Sequence, residues 1–244
     1  MENKRNRRSN ILKSKDWFKI NGISSDTVGI YVDTPSVPLM ARQRYTTYQT
    51  STDEDRTSPD DTYENLKYSL IFYTFDRESF DNSDIYAFIA KAETLQISRL
   101  SDYYFKIRER YIDSAENISK GLKIRYNATF ILAPFKYVIN NPEISVTSGD
   151  IVTNNGTRYS KPVFRIAGTG DIKINVNGSV FEVKELSENQ EIVIDSSSYI
   201  TYSGNNLFYN KTVGKYPLLA VGDNLISYEG NISSVKIIKN ERCY

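Results

Sequence analysis

Between residues 17 and 32 apolar positions are frequent and are broken once, at Asn21-Gly22. Asn-Gly supplies the positive φ of a two-residue hairpin turn, so this pattern predicts a hairpin of residues 16–20 and 23 onward. Residues 42–63 are polar and include Asp53-Glu54-Asp55 and Asp60-Asp61, the pattern of a solvated loop between two long strands. The run Leu66-Lys67-Tyr68-Ser69-Leu70-Ile71-Phe72-Tyr73-Thr74-Phe75 predicts a buried strand. The period then changes. Asp81, Asn82 and Ser83 offer N-cap side chains, and Ile85, Phe88, Ile89 and Ala92 follow at i, i+3, i+4 and i+7. That spacing predicts a helix over residues 84–93 with one apolar stripe against a sheet. Strands follow at 103–111, where Tyr103, Phe105 and Ile107 alternate, and at 122–132. Ala133-Pro134-Phe135 and Asn141-Pro142 then punctuate the chain. A boundary is expected between Pro134 and Glu143, giving domains of residues 1–138 and 139–244, with 1–15 as a flexible leader.

The second half alternates more regularly. Asp171 to Val183 reads as a hairpin with Asn177-Gly178 as its two-residue turn. Partners then sum to 355: Val176 faces Ser179, Ile174 faces Phe181 and Ile172 faces Val183 on one side of the sheet. Asn175 faces Val180 on the other side, and Lys173 faces Glu182 as an opposite-charge pair. A slip by one residue would turn the apolar set outward, so the register is well specified. Short strands are expected at 191–194, 199–202 and 235–238, which points to an all-β sandwich.

Composition agrees with a sheet-rich chain. Aromatic residues make up 13%, nineteen of them tyrosines, and such side chains fit a pleated surface. Formal charge is +1, so no global basic field recruits nucleic acid. There is no histidine, which removes Ser-His-Asp and Cys-His catalysis and histidine zinc sites together. The one cysteine, Cys243, can form neither an internal disulfide nor a Cys-rich metal site, and it reads as a surface thiol in a frayed tail. Residues 1–15 carry Lys4, Arg5, Arg7, Arg8, Lys13 and Lys15 without an apolar segment of signal-peptide length, and no apolar run suits a membrane span. The chain is therefore expected to be made in a cytoplasm. Sequons such as Asn117-Ile118-Ser119, Asn127-Ala128-Thr129 and Asn155-Gly156-Thr157 carry no meaning without secretion.

Candidate chemistry is sparse. The acidic clusters lack the EF-hand order of alternating oxygen ligands, central Gly and terminal Glu. Gly168-Thr169-Gly170 lies between strands with no helix following, so it reads as a tight β-turn rather than a dinucleotide fingerprint. Glu182, Glu185, Glu188 and Asp195 are the carboxylates that a glycosidase would draw on. Tyr199, Tyr202 and Tyr209 are candidates for stacking on sugars, as in carbohydrate-binding sandwiches and lectins. No catalytic, cofactor-binding or metal residue is assigned, and no cofactor is expected.

Tyr159-Ser160-Lys161-Pro162-Val163-Phe164-Arg165-Ile166-Ala167-Gly168 resembles a "Pro-x-Phe-x-Ile-x-Gly" strand. That strand stands near the start of the second domain in the distal tail protein (Dit) family of siphophages of Gram-positive bacteria. The Asn177-Gly178 hairpin follows, then Ile192-Val193-Ile194-Asp195, Tyr216-Pro217-Leu218-Leu219 and Gly222-Asp223-Asn224. The ordered set is similar to the rest of that domain, and the first half is similar in outline. The resemblance implies a mainly β fold: an α+β N-terminal ring-forming domain, β-sandwich-like with one helix, and a C-terminal galectin-like β-sandwich. It further implies a non-enzymatic virion protein of the tail tip or baseplate, whose hexameric ring joins the tail tube to the tip. The implied partners are other copies of the chain, the tube protein, the tape-measure protein, the tail-associated tip protein and receptor-binding proteins. The alternative is a carbohydrate-binding module or lectin of a phage or bacterial surface protein. Some relatives carry an added carbohydrate-binding module, but residues 139–244 barely suffice for the sandwich itself.

Overall fold

The structure is a computed structural model, and it describes residues 16–33, 35–49, 56–74, 82–118 and 123–244. The chain is mainly β and divides into two compact units, Met1–Lys136 and Tyr137–Tyr244.

The first unit begins with β1 (Phe18–Ile20) and β2 (Ile23–Ser24), joined by Asn21 and Gly22 at φ 50° and 81°. Ile20 pairs with Ile23, the two-residue hairpin that Asn-Gly predicts. Next come β3 (Ile30–Val32), β4 (Gln43–Tyr48), β5 (Arg56–Tyr63) and β6 (Leu66–Thr74). The helix α1 (Asn82–Ala90), β7 (Thr94–Ile97), β8 (Tyr103–Ile118) and β9 (Lys123–Val138) complete it. The main sheet runs β2–β1–β7–β8–β9–β6–β3, while β4 and β5 pair only with each other. Ile85, Ile89 and Ala92 of the helical stripe are buried, with Phe88 packed beside them, against Phe18, Phe72, Leu95 and Phe105. Phe72 stacks on Tyr126 at 5.1 Å and meets Phe18 at 5.7 Å, so one aromatic column ties three strands.

The helix stops at Ala90, earlier than the periodicity suggests, and the Asn21 side chain explains the stop. Its Nδ2 donates to the Lys91 carbonyl at 2.7 Å, and its Oδ1 accepts from the N–H groups of Glu93 and Thr94. The hairpin turn thus receives the helix exit. Of the three N-cap candidates, Asp81 and the Asn82 side chain lie outside the described residues, and Ser83 is inside the helix. β6 begins as expected at Leu66, and its burial alternates, with Tyr68, Leu70, Phe72 and Thr74 facing inward. Phe75 lies outside the described residues, as does Leu122.

Two expectations for this unit are corrected. Among the described residues of the polar stretch 42–63 the chain is not a loop but the antiparallel ribbon β4–β5, with Tyr48 opposite Arg56 and Thr47 opposite Thr57. Tyr45, Thr46, Thr47, Tyr48 and Thr57 favour extended backbone, and both faces are wet, so no apolar alternation marks the strands. Pro134 does not punctuate the chain, because β9 continues through it to Val138. It stands past Leu132, the last β9 residue paired with β6, where a missing N–H is tolerated.

The second unit contains β10 (Glu143–Ser145), β11 (Ile151–Asn154), β12 (Val163–Val176) and β13 (Ser179–Asp195). After them come β14 (Ile200–Ser203), β15 (Asn206–Leu207), β16 (Thr212–Gly214), β17 (Gly222–Ile238) and β18 (Arg242–Cys243). Its sheet runs β10–β17–β12–β13–β14–β15, with β11 on β17 and β16 on β13. All five predicted hairpin pairs occur, from Val176–Ser179 to Ile172–Val183. Residues 191–194 and 235–238 are not separate short strands; they are the far halves of β13 and β17, each 17 residues long. Gly168-Thr169-Gly170 is likewise not a turn. It is an irregular step inside β12, where the register to β13 and β17 shifts. Phe164, Ile166, Ile192, Ile194, Val235 and Ile237 on one side of that step share a core with Ile172, Ile174, Phe181, Val183 and Ile226 on the other. The sheet therefore curls over its own inner face.

Asn224 locks this curl and is fully buried. Its Oδ1 accepts from the Ala220 N–H at 2.7 Å and from Asn177 Nδ2 at 2.8 Å. Its Nδ2 points at the carbonyls of Ala220, Gly222 and Val152. Asn177 in turn binds Leu225 through its side chain and its backbone N–H, so the β12–β13 turn is fastened to β17. Asn224→Ala would leave buried donors and acceptors unmatched, each at about 1–3 kcal/mol. A stability loss of roughly 2–4 kcal/mol is expected in urea denaturation, against under 1 kcal/mol for exposed Asp223→Ala.

Candidate interaction surfaces

The ribbon is fixed at its base. Glu64 N–H donates to the Arg42 carbonyl at 2.9 Å, and Gln43 Nε2 donates to the Asp60 carbonyl at 2.8 Å. Tyr63 meets the Phe135 ring edge-on at 5.1 Å. The hydroxyl and the N–H of Thr62 both donate to Asp60 Oδ1 and hold its carboxyl below the usual carboxylate value. Beyond this base the ribbon is wet on both faces, with Tyr45 and Tyr48 each 56% exposed. Just before it, Leu39 and Met40 are 83% and 72% exposed, while Ala41 is buried. Tyr68 anchors this approach by donating its hydroxyl to the Ser36 carbonyl at 2.9 Å. Burial pushes its phenol up to about 12.

In the second unit, the three tyrosines that are candidates for sugar stacking have separate fates. Tyr199 is exposed at φ 54°, its hydroxyl accepts from Lys161 Nζ, and its ring meets Tyr216 edge-on at 5.6 Å. Tyr216 packs on buried Phe181 at 4.7 Å, so Tyr199 caps an aromatic stack. Tyr202 is half-buried within β14, between Val193 and Leu207. Tyr209 alone of the three lines a hollow of about 410 Å³, beside Glu185, Gln190, Asn206, Asn210 and Lys211.

The four carboxylates all stand on β13 and differ in their surroundings. Glu182 stands opposite Lys173 on the outer sheet face, and Glu185 pairs with Lys211 at 3.2 Å. Glu188 is exposed, and Asp195 accepts from the N–H groups of Ser197 and Ser198 as a turn residue. Glu182 and Asp195 stand thirteen positions apart, near the two ends of β13. Among the described residues, no group of three or more His, Cys, Asp or Glu side chains could hold a metal ion. Asp53-Glu54-Asp55 and the basic residues of the leader lie outside the described residues. No described helix is long and apolar enough to cross a membrane.

The tail end is a further correction. Cys243 is buried, not frayed, because β18 is held at several points. The Arg242 carbonyl accepts from the N–H groups of Thr157 and Arg158, and its guanidinium donates to the Tyr159 carbonyl at 2.7 and 3.0 Å. Tyr244 N–H donates to Thr157 Oγ1, and buried Glu241 pairs with Lys239 at 2.5 Å. A charged terminal segment has no sequence signal for such anchoring; its partners, residues 157–159, lie more than eighty positions away. The ribbon was missed for a related reason, since a strand with two wet faces has no alternation.

No protein-family model matches the chain, and no curated protein matches it. The architecture does have a counterpart among solved structures, in a phage protein. The crystal structure is that of the SPP1 Dit protein (gp 19.1), called a paradigm of the hub adsorption apparatus in Gram-positive infecting phages. The TM-score is 0.63 over 93% of this chain and 98% of that one, at 10% identity. The likeness therefore spans both units and is one of fold.

The Tyr68 phenol gives a signed test of the ribbon anchor. Its raised folded value favours the neutral form, so its contribution is complete below pH 10 and is lost as pH rises through about 12. Wild type should lose stability over that window more steeply than Tyr68→Phe, measured as urea midpoints at matched pH.

Proposed function

We propose that this chain is a non-enzymatic structural protein of a phage tail tip, a distal tail subunit whose copies form a ring. The observation that carries this reading is the shared fold over nearly the whole of both chains. The ordered motifs from Tyr159 to Asn224 support it independently. In this reading residues 1–138 build the ring, hexameric as in the resembled family, and residues 139–244 form a galectin-like arm. The ring joins the tube to the tip or baseplate. It holds the tube, tape-measure and tail-associated tip proteins and carries receptor-binding proteins.

The physical features suit scaffolding. Glu182, Glu185 and Asp195 of β13 are each engaged locally, with Lys184, Lys211 and the Ser197 and Ser198 N–H groups. Both units are built on long ladders, and stiff sheets transmit load without internal motion. The hollow beside Tyr209 favours a second reading, saccharide binding by the C-terminal unit, because an exposed ring among amides suits a sugar face.

Gold-labelled antibody against the chain should decorate one end of phage tails in electron micrographs. Absence from purified particles, together with saturable binding of a cell-wall glycan that Tyr209→Ala abolishes, would replace the tail reading with the lectin.

A further inference from the structure

At the anchored end of the second unit, three side chains converge on one oxygen atom. Glu241 Oε1 accepts from Lys239 Nζ at 2.5 Å, from the Asn155 N–H at 3.0 Å and from Asn155 Nδ2 at 3.4 Å. An amine, a carboxamide and a carboxyl group are thus held together. The Lys239 and Glu241 side chains are only 18% and 10% exposed, whereas ion pairs of the outer sheet face, such as Lys173 with Glu229, stand open to water. A buried pair that only holds a strand needs no third member, yet this carboxylate also reaches the amide.

The backbone builds the cluster from both sides. Asn240 stands between the two charged residues at φ 51° and is pinned there. Its N–H donates to Asn141 Oδ1, and its Nδ2 donates to the Lys161 carbonyl. Lys239 Nζ is steered by a second bond, to the Thr153 carbonyl at 3.0 Å. Facing it, buried Asn154 fixes the segment that carries Asn155. Its Nδ2 donates to the Arg158 and Leu219 carbonyls, and its Oδ1 accepts from the Gly156 N–H. Gly156 lets the two segments touch, because a Cβ there would overlap the Arg242 carbonyl oxygen.

We infer that Lys239 and Asn155 join through an intramolecular isopeptide bond, with Glu241 as its catalytic base and acid. Glu241 takes a proton from the Lys239 ammonium and leaves a neutral amine, the nucleophilic form. The amine lone pair attacks Asn155 Cγ, so a C–N bond forms and the carbonyl π electrons move onto Oδ1. Glu241 passes its proton to Nδ2 and takes the second proton from the attacking nitrogen. The carbonyl re-forms, the Cγ–Nδ2 bond breaks, and ammonia departs past the exposed Asn155. Ammonia then takes the proton from Glu241 as ammonium, which restores the carboxylate and the total charge. No oxidant, metal or cofactor enters this balance. Holding amine and amide on one carboxylate supplies the proximity that makes amide exchange feasible.

The bond closes the chain from residue 155 to residue 239 and ties the end of β11 to the segment between β17 and β18. A cross-link over so long a loop strongly constrains the unfolded chain. It keeps β18 in place under load, and the inference holds whether or not the tail reading does.

The intact mass of the denatured full chain tests this. Wild type should weigh about 17 Da less than its sequence, the mass of one ammonia. Lys239→Arg, Asn155→Ala and Glu241→Gln chains should keep the full mass. In wild type, trypsin should spare Lys239 and release one branched peptide, residues 137–158 joined to residues 237–242. That mapping uses the unaltered chain, so it decides the matter even where Glu241→Gln does not fold. A succinimide at Asn155-Gly156 also loses ammonia, but it leaves Lys239 cleavable and persists in Lys239→Arg; that result would overturn the inference. Full mass in wild type would overturn it too, and would reduce the cluster to a buried ion pair.

Discussion

A strand of 14 residues can line two sides of one core only if it bends, and β12 bends at Gly168-Thr169-Gly170. The bend is possible because backbones approach closely there. A Cβ on Gly168 would stand 2.9 Å from the Asn231 carbonyl oxygen, and Gly230 faces Ile172 at φ 104°. With the bend in place, Phe164 and Ile166 meet Ile172 and Ile174 across one interior. β13 and β17 follow because they are paired to β12 on its two sides. The Asn224 hydrogen bonds then fasten the turn end of the curl to the segment that enters β17.

The first unit uses a different device for the same problem. Its sheet is covered on one side by α1, whose Ile85, Ile89 and Ala92 complete the core around Phe18 and Phe72. Asn21 serves two elements at once, shaping the β1–β2 turn and receiving the helix exit. What this core leaves over is a ribbon and a long strand edge that no described part of the chain covers. A protein that functions alone would be expected to blunt such edges, as β5 is blunted by Pro59.

The C-terminal unit has a surface of a different character. Its exposed rings are individually engaged: Tyr199 caps a stack under Lys161, and Tyr209 borders a polar hollow. Its charged side chains are paired mostly across the outer sheet face, as in Lys173 between Glu182 and Glu229. Exposed pairs of this kind add little stability, about 0–1 kcal/mol each, but they keep the face soluble and patch-free.

The sequence by itself determined the elements whose instructions are local. Asn21-Gly22 and Asn177-Gly178 dictate their turns through positive φ, and period-two alternation sets the register from Ile172 to Val183. The helical stripe from Ile85 to Ala92 was legible for the same reason, as was the mainly β class. The candidate site was legible only in fragments: residues 42–63 were visible as unusual but not as strands, and the open edge of β8 left no sequence mark. Only the tertiary structure decided that Gly168 to Gly170 bends a strand instead of ending it, because the cause is a distant backbone, at Asn231. It likewise decided that Cys243 is buried, through contacts with residues 157–159, and that β8 outruns β7. Turn chemistry and alternation act over a few residues and are written there; edge exposure and close approach depend on which strand lies alongside, and that is settled only when the chain has folded.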